Sequence, residues 1–337
     1  MIRKILLIGL LAAATRSFAQ QAIDPLFSGS KPIETVSFSS DGKSLVFATN
    51  EGLIRVLNVA DKKEVGQIAP ATFSLVYSAV SPDGKTIATV GARYDGPPLR
   101  DGSNFVGIVQ LWDSATLKEK GWIKQNGSGN SLAFSPDSKT LATTAGHNTQ
   151  QLVLVDLESL KQRAKLTVGK SCLSAVAYSR CGKFLATGTY KGEVKIWDTQ
   201  SNKELQSFDA HDGYRVSALA FSPDSKLLVS TPFESATHES LPGSVVRVWE
   251  VETEKKRHDI RQPRGSIFVS AVLFSGKESR FLVASGFTIL IYDAQSGKRI
   301  SELNGHTNRV TSLALSPDGK LLASGSIDRT VRIWKVE

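Results

Sequence analysis

The last thirty-three residues, Gly305 to Glu337, decide the fold and read GHTNRVTSLALSPDGKLLASGSIDRTVRIWKVE. The apolar run 310–316 is long enough for a strand, and the Ser-Pro-Asp-Gly stretch that it enters has the composition of a type I turn. A second strand is predicted over 321–326, and a third over 331–334 after another tight turn. The stretch therefore encodes three antiparallel strands, the last of which ends in a large aromatic residue.

The same unit recurs seven times along the chain. The strand after the first turn is its most regular part, and the copies read SLVFATN (44–50), TIATVGA (86–92), TLATTAG (140–146), FLATGTY (184–190), LLVSTPF (227–233), FLVASGF (281–287) and LLASGSI (321–327). Most copies add a fourth strand after a turn rich in Lys and Glu. Four short strands per unit, repeated at intervals of roughly 42 to 54 residues, are typical of a propeller and not of a solenoid. The repeats lie near 33–68, 74–124, 130–168, 171–208, 211–260, 266–303 and 305–337.

The last repeat contains GH, SPDG, LASGS, an Asp and a strand-final Trp in this order, and in this pattern it resembles a WD40 repeat, of a secreted, bacterial type. The resemblance extends over nearly all of the chain after residue 19. It implies an all-β, seven-bladed β-propeller of four-stranded antiparallel blades. It also implies a rigid platform that binds other proteins or peptides. The resemblance assigns four residues to a structural tetrad, a buried hydrogen-bond chain: His306, Ser324, Asp328 and Trp334.

The two ends of the repeat array are incomplete in complementary ways. The seventh repeat has only three strands, and the segment 22–27 precedes the first complete repeat with no partner of its own. We therefore expect 22–27 to pair as the outermost strand of the last blade, because this pairing removes two open sheet edges. Residues 20–337 then form a single propeller domain.

Residues 1–19 have the pattern of a secretory signal peptide. A basic start is followed by the apolar stretch 5–14 and by the small-x-small ending Ser17-Phe18-Ala19. We expect cleavage after Ala19 and a mature protein in the periplasm or outside the cell, without a membrane span. Removal of the three basic residues of this segment lowers the formal net charge from +9 to +6. That mild excess, with no block of like charges, argues against a nucleic-acid partner.

The residue types used in metal and redox chemistry are few and scattered. Cys172 and Cys181 are predicted at opposite ends of one strand, too far apart for a disulfide. The five histidines show no metal-ligand spacing, and no Gly-rich phosphate loop leads from a strand into a helix. We therefore expect no metal, no cofactor and no catalytic residues, and a monomeric protein.

Functional residues are sought where the seven copies differ, since folding already explains what they share. The second turn is enlarged in two copies, to 93–108 and to 234–245, and these turns open on the same face as the connections between blades. Arginines with exposed aromatic and apolar groups are favoured at protein-binding surfaces, and acidic groups on a partner would suit them. The candidate partner-binding residues are Arg93, Tyr94, Leu99, Arg100, Phe105, Tyr214, Arg215, Phe233, His238, Phe268 and Arg309.

Three alternatives stay open at this point. The insertions are also compatible with tolerated surface loops, because long loops cost little. A secreted propeller enzyme, hydrolase-like or lyase-like, would gather acids and histidines in the central channel. A carbohydrate- or cell-wall-binding propeller would use Tyr94, Phe105, Tyr214 and Phe268. A channel lined by small and apolar groups would favour the platform over the enzyme.

Overall fold

The computed structural model describes residues 25–69, 74–94, 105–125, 129–145, 150–169, 171–233, 244–263, 268–276 and 280–336. Within these ranges the chain contains strands and turns and no helix. It folds into seven four-stranded antiparallel sheets, the seven-bladed propeller that the repeats predict. The predicted signal peptide, residues 1–19, lies outside the described residues.

Six blades are each built from four consecutive strands. The first three contain β2 (Ile33–Phe38), β3 (Ser44–Thr49), β4 (Ile54–Asn58) and β5 (Glu64–Ile68); β6 (Ser74–Val80), β7 (Thr86–Tyr94), β8 (Phe105–Asp113) and β9 (Glu119–Gln125); and β10 (Leu132–Phe134), β11 (Thr140–Ala145), β12 (Gln151–Asp156) and β13 (Lys161–Thr167). The next three contain β14 (Leu173–Tyr178), β15 (Phe184–Thr189), β16 (Glu193–Asp198) and β17 (Glu204–Asp209); β18 (Arg215–Phe221), β19 (Leu227–Phe233), β20 (Val245–Glu250) and β21 (Lys256–Arg261); and β22 (Val269–Phe274), β23 (Arg280–Ser285), β24 (Thr288–Asp293) and β25 (Arg299–Leu303).

The seventh blade joins the two ends of the described chain. Its strands are β26 (Val310–Leu315), β27 (Leu321–Ser326), β28 (Thr330–Lys335) and β1 (Phe27–Ser28). In the outermost position β1 runs antiparallel to β28, with Phe27 opposite Val331, and the Leu26 amide donates to the Val331 carbonyl at 2.8 Å. The predicted closing strand is thus confirmed. It is shorter than the predicted segment 22–27, of which 22–24 lies outside the described residues.

Side chains hold this closing strand in place as well as the backbone. Leu26 is buried, and the ring of Phe27 lies 4.7 Å from the ring of Phe47 in the first blade. The guanidinium of Arg55 also lies over the ring of Phe27, 5.4 Å from its centroid. The strand therefore ties the seventh blade to the first, and the ring is closed at both backbone and side-chain level.

We name the strands of each blade A to D in chain order, with β1 as strand D of the seventh blade. The A strands of neighbouring blades contact one another around the ring, including β26 with β2, so strand A lies at the central channel and strand D at the outside. The A–B and C–D turns form one face of the disc, called here the A–B face. The B–C turns and the D–A connections between blades form the other, the B–C face.

Apolar clusters fill the spaces between neighbouring blades. Trp197 in strand C of the fourth blade packs with Leu152 and Leu154 of the third. Trp249, at the same position of the fifth blade, packs with Val194 and Ile196 of the fourth. A blade that carries apolar residues on both of its surfaces needs a neighbour on each side, and a closed ring supplies both.

Hydroxyl groups on the A strands link consecutive blades near the channel. Ser174 donates to the Val216 carbonyl and Ser217 to the Val269 carbonyl, each at 2.7 Å. Ser270 donates to the Val310 carbonyl, and Thr311 completes the turn of the ring by donating to the Ile33 carbonyl at 2.7 Å. In each of these bonds, from the fourth blade round to the first, the donor lies on one blade and the acceptor on the next blade along the ring. They fix the positions of the A strands whose ends surround the channel mouth.

Candidate interaction face

The B–C face carries a continuous row of arginine and aromatic side chains around the channel mouth. The row consists of Tyr190, which follows strand B of the fourth blade, Arg215 and Phe233 of the fifth, Phe268 before strand A of the sixth, and Arg309 before strand A of the seventh. All five positions lie at strand ends on the same face. We call these residues the arginine–aromatic row.

Successive members of the row lie within contact distance. The Arg215 guanidinium carbon is 4.5 Å from the ring centroid of Tyr190 and 5.4 Å from that of Phe233. The rings of Phe233 and Phe268 are 5.5 Å apart, and an antiparallel backbone bridge joins the same two residues across the blade boundary. Arg309 follows, 5.1 Å from the Phe268 centroid. Cation–π contacts of this kind hold a guanidinium plane in a defined orientation.

Stacking leaves hydrogen-bonding capacity unused in both arginines. The Nε atoms of Arg215 and Arg309 are buried and have no hydrogen-bond partner among the described residues. Arg247, on strand C of the fifth blade, differs, since it forms ion pairs with Asp212 at 2.6 Å and Asp259 at 3.1 Å. No ion pair joins either arginine of the row to a carboxylate in the part of the chain that the structure describes.

One acidic group lies near the row. Burial raises the pKa of the Glu34 carboxyl, and the charge of Arg309 opposes this shift. Glu34 stands in strand A of the first blade, where the fourth to seventh blades have the serine or threonine that donates to the next blade. The acid therefore faces the Arg309 end of the row and leaves the Arg215 end without a described counter-charge.

Two exposed aromatic side chains extend this surface. Tyr214, beside Arg215, is 36% exposed, and Phe287, in the B–C turn of the sixth blade, is 55% exposed. The sequence interpretation named Tyr214 but missed Phe287 and Tyr190. A signal for both was present: the last residue of the regular strand copy is aromatic in the fourth, fifth and sixth repeats, and in no other.

Of the remaining predicted partner-binding residues, the structure describes the positions of three, Arg93, Tyr94 and Phe105. Arg93 and Tyr94 end β7 and Phe105 begins β8, so these three lie on the B–C side of the second blade. The predicted turn 93–108 is corrected here, because Tyr94 pairs directly with Phe105 and the ladder continues back to Thr86 and Asp113. The inserted segment is therefore 95–104. Leu99, Arg100 and His238 lie outside the described residues.

The structure joins the four residues of the predicted tetrad in one chain. The indole N–H of Trp334 donates to Ser324 Oγ at 2.8 Å, and the Ser324 hydroxyl lies 2.7 Å from His306 Nε2. On its other side, His306 Nδ1 lies 2.8 Å from Asp328 Oδ2. Burial lowers the pKa of His306 although Asp328 opposes this, which favours a neutral ring whose Nδ1–H donates to the carboxylate.

This Ser–His–Asp set does not have the geometry of a hydrolase site. Ser324 is completely buried, and its oxygen already accepts a hydrogen bond from an indole N–H. A nucleophile needs an open position beside it for the reacting carbonyl. The hydrogen-bonded tetrad therefore stabilises the packing of the seventh blade, as the resemblance implies.

The fifth blade contains a partial copy of the tetrad. Ser230 accepts from Trp249 Nε1 at 2.9 Å and lies 2.9 Å from His211 Nε2. Burial, and next the charge of Arg247, lower the pKa of His211 to about 3. Arg247, opposite Ser230, is the counterpart of Arg332 opposite Ser324 in the seventh blade, and the fifth-blade turn in which a counterpart of Asp328 would stand lies outside the described residues. In the second and fourth blades the described residues show the Trp to Thr bond alone, from Trp112 and Trp197.

The central channel opens on the A–B face into a cavity of about 910 Å³. Its walls include small and apolar strand A residues such as Ala133, Ala177, Ala220 and Leu273, and proline side chains of the A–B turns stand at its edge. The described residues contain no group of three or more His, Cys, Asp or Glu side chains placed to hold a metal ion. Nor do they include a helix long and apolar enough to cross a membrane.

Comparisons with known proteins agree with this architecture. A family model described as WD domain, G-beta repeat matches residues 297–335, and one described as Eukaryotic translation initiation factor eIF2A matches residues 114–252. Similar proteins include WD repeat-containing protein srw1 of Schizosaccharomyces pombe, 25% identical over 83% of this chain and 50% of the relative. Cell division cycle 20.5, cofactor of APC complex, of Arabidopsis thaliana is 27% identical over 83% of this chain and 64% of the relative. The chain thus spans between half and two thirds of these curated relatives.

Proposed function

We propose that this seven-bladed propeller, whose last blade is a WD40 repeat, is a non-catalytic platform that binds another protein or a peptide through its B–C face. The arginine–aromatic row is the observation that carries the proposal. Arginine and aromatic residues dominate the energetics of protein interfaces, and a rigid, preorganised presentation lowers the cost of binding. The exposed rings of Tyr214 and Phe287 extend the apolar area beside the row.

The comparisons support a binding role over chemistry. One relative is named a cofactor of the APC complex and another a WD repeat-containing protein, and neither printed name denotes a catalytic activity. The buried Ser–His–Asp set supports the same proposal, and so do the small and apolar residues that form part of the channel lining beside polar ones such as Arg180 and Asp318. We therefore assign no catalytic residue, metal or cofactor to this protein.

The finer features of the proposal rest on charge and on the first residues of the chain. We propose that the partner offers acidic groups, that the propeller acts as a monomer, and that residues 1–19 direct it out of the cytoplasm. The bacterial type of this signal stays a prediction, since the relatives named above come from a fungus and a plant. Intact-mass measurement on the protein from the exported fraction tests the export signal, with a chain that begins at Gln20 expected.

Chemical cross-linking in the exported fraction tests the binding face. The matched variant replaces residues 95–104 by Asn-Gly, because Tyr94 and Phe105 pair directly and a two-residue turn preserves their register. We expect the wild-type protein to cross-link a defined partner from Lys residues near the B–C face, and the variant to lose part of that yield. The proposal fails if partners attach only to the A–B face or the blade edges.

A further inference from the structure

We propose that the arginine–aromatic row binds an extended acidic segment at two points, one carboxylate on Arg215 and one on Arg309, with an apolar side chain over Phe233 and Phe268 between them. This inference rests on the proposed function and specifies the chemistry of the partner. It concerns one juxtaposition: two guanidiniums at the two ends of a pair of rings that contact each other at a tilt of 46°.

The unused donors of the two arginines are the first support. A guanidinium has five N–H groups in one plane, and a ring beneath that plane satisfies none of them. Buried polar atoms normally have partners, so a buried Nε without one is an unfilled requirement. Arg215 and Arg309 both carry such an atom, and Arg55 and Arg332, outside the row, carry one as well. Because the Nε itself is buried, a carboxylate from outside would bind the remaining N–H groups of the fork, for which carboxylates are strong acceptors.

The local charge is the second support. Asp212, the acid closest in sequence to Arg215, is already paired with Arg247 at 2.6 Å. Glu34 interacts with Arg309, but burial disfavours its ionised form. The row therefore has two positive charges, and the one acid beside it, Glu34, is disfavoured in its charged form. Acidic groups from a partner would neutralise the remaining positive charge. Ring surfaces between the cations favour an apolar side chain, which distinguishes this row from a purely electrostatic patch.

The spacing of the row limits the segment that it fits. Successive distances between guanidinium carbons and ring centroids are 5.4 Å from Arg215 to Phe233, 5.5 Å from Phe233 to Phe268 and 5.1 Å from Phe268 to Arg309. The two guanidinium carbons can therefore be no farther apart than the sum of these three distances. An extended chain advances about 3.3 Å per residue. The two acidic residues should therefore lie within about five positions of each other.

Fluorescence anisotropy with short labelled peptides tests the two-point model. The probe peptide has two glutamates about four positions apart with a leucine midway, and matched peptides replace one or both glutamates by glutamine. We expect the diglutamate peptide to bind about tenfold more tightly than either monoglutamate peptide and more tightly again than the diglutamine peptide. Equal affinities for all of them would overturn the proposal.

Variants of the protein assign each carboxylate to one arginine. Arg215→Gln and Arg309→Gln should each weaken the diglutamate peptide about tenfold, while the diglutamine peptide is unaffected. Arg215→Lys keeps the charge but loses the planar fork, and we expect it to be weakened nearly as much as Arg215→Gln. Arg299→Gln is the matched control, since Arg299 is an exposed arginine that pairs with Glu302 outside the row. Each variant is used only if its melting temperature stays within a few degrees of wild type.

Two further outcomes separate this inference from the proposed function. If the cross-linked partner is retained when both arginines are replaced by glutamine, the platform stands and the two-point model is wrong. If a single-stranded oligonucleotide of matched charge binds the row as tightly as the diglutamate peptide, the assignment to an acidic protein segment is wrong. Loss of the partner together with loss of the diglutamate peptide supports both.

Discussion

The two faces of the disc are built from the same repeat and treat their polar groups in opposite ways. On the A–B face, the serine of the turn donates to the aspartate two residues on in five repeats, at 2.5 to 2.6 Å: Ser39 to Asp41, Ser81 to Asp83, Ser135 to Asp137, Ser222 to Asp224 and Ser316 to Asp318. The same aspartate accepts from the amide of the following lysine. In each of these turns the serine hydroxyl, the aspartate carboxylate and the lysine amide are hydrogen-bonded to one another within the turn.

The described part of the B–C face shows no such common network. Its turns differ in length, its strand-end residues differ from blade to blade, and the arginine–aromatic row retains buried donors without partners. In this repeat protein the repeated polar residues stabilise each copy's own turn, whereas residues that occur in one or two copies are available to a partner. Changes on the A–B face should therefore alter stability, and changes in the row should alter binding.

The largest expected effect comes from the tetrad, which runs from His306 on the B–C face to Trp334 near the other face. Trp334→Ala removes a buried indole and the donor to Ser324, and we expect a loss of roughly 3 to 5 kcal/mol in the free energy of unfolding. Trp122→Ala is the control, because this indole is 53% exposed on an outer strand. Denaturant titration of both variants checks the contrast, which equal losses would contradict.

Removing the closing strand should have the next largest effect. A variant that begins at residue 32 loses the buried Leu26 side chain, the Phe27 to Phe47 contact and the pairing of β1 with β28. We expect a loss of about 3 kcal/mol, on the scale of a large core deletion, and a marked fall in melting temperature. A protein that begins at Gln20 is the control. Unchanged melting would show that the ring is held closed without β1.

The two faces should also respond to acid in different pH ranges. The folded-state pKa of His211, on the B–C side, is about 3, below its ordinary 6.5, because burial disfavours the imidazolium. The unfolded chain therefore binds the proton first, and stability falls as pH drops below about 6.5. For a histidine that stays neutral in the folded state, the free energy of unfolding falls by about 2 kcal/mol between pH 6.5 and 4.5. His306, whose pKa is lowered for the same reason, acts in the same direction.

Aspartates of the A–B turns respond only at lower pH. The Ser222 hydroxyl first, and then the Lys226 amide, hold the pKa of Asp224 below its ordinary 3.8, so its contribution is present above that value and is lost as pH falls through the folded-state pKa. Urea titrations between pH 4 and 8 check the first range. The dependence of the free energy of unfolding on pH should become weaker in His211→Gln and stay the same in His258→Gln. An unchanged pH dependence in His211→Gln would contradict its assignment to His211.

A smaller effect is expected from a single A–B turn. The Ser222 hydroxyl donates to Asp224 and its oxygen accepts from the buried Leu227 amide at 2.9 Å. Ser222→Ala leaves that amide without a partner, and we expect a loss of about 1 to 2 kcal/mol with peptide binding unchanged. Tyr214→Ala on the other face should show the reverse, weaker binding with stability nearly unchanged. A loss of binding in Ser222→Ala would contradict the division of roles between the faces.

Much of the fold could be read from the sequence because its signals are local and repeated. The seven strand copies, the Ser-Pro-Asp-Gly turns and the incomplete last repeat together predicted the blades and their closure. Four members of the row were among the predicted partner-binding residues: Arg215, Phe233, Phe268 and Arg309. The contacts between them could not be derived, since residues such as Tyr190 and Arg215 lie in different blades and meet only when the ring is formed. The insertion was overestimated because the strand ladder continues to Tyr94 and Phe105, beyond the regular strand copy.

The fourth A–B turn offers the smallest and sharpest test of the comparison. It reads Ser-Arg-Cys-Gly, so Cys181 stands where the five regular turns have aspartate, and its sulfur lies 3.4 Å from the Ser179 oxygen. A carboxylate there would accept a charge-assisted bond from Ser179 and one from the Lys183 amide. We expect Cys181→Asp to stabilise the protein by up to about 1 kcal/mol, whereas Cys181→Ala should not, as measured by thermal unfolding under reducing conditions. If the aspartate gave no gain, the repeated network would be a consequence of the turn's shape and not a source of its stability.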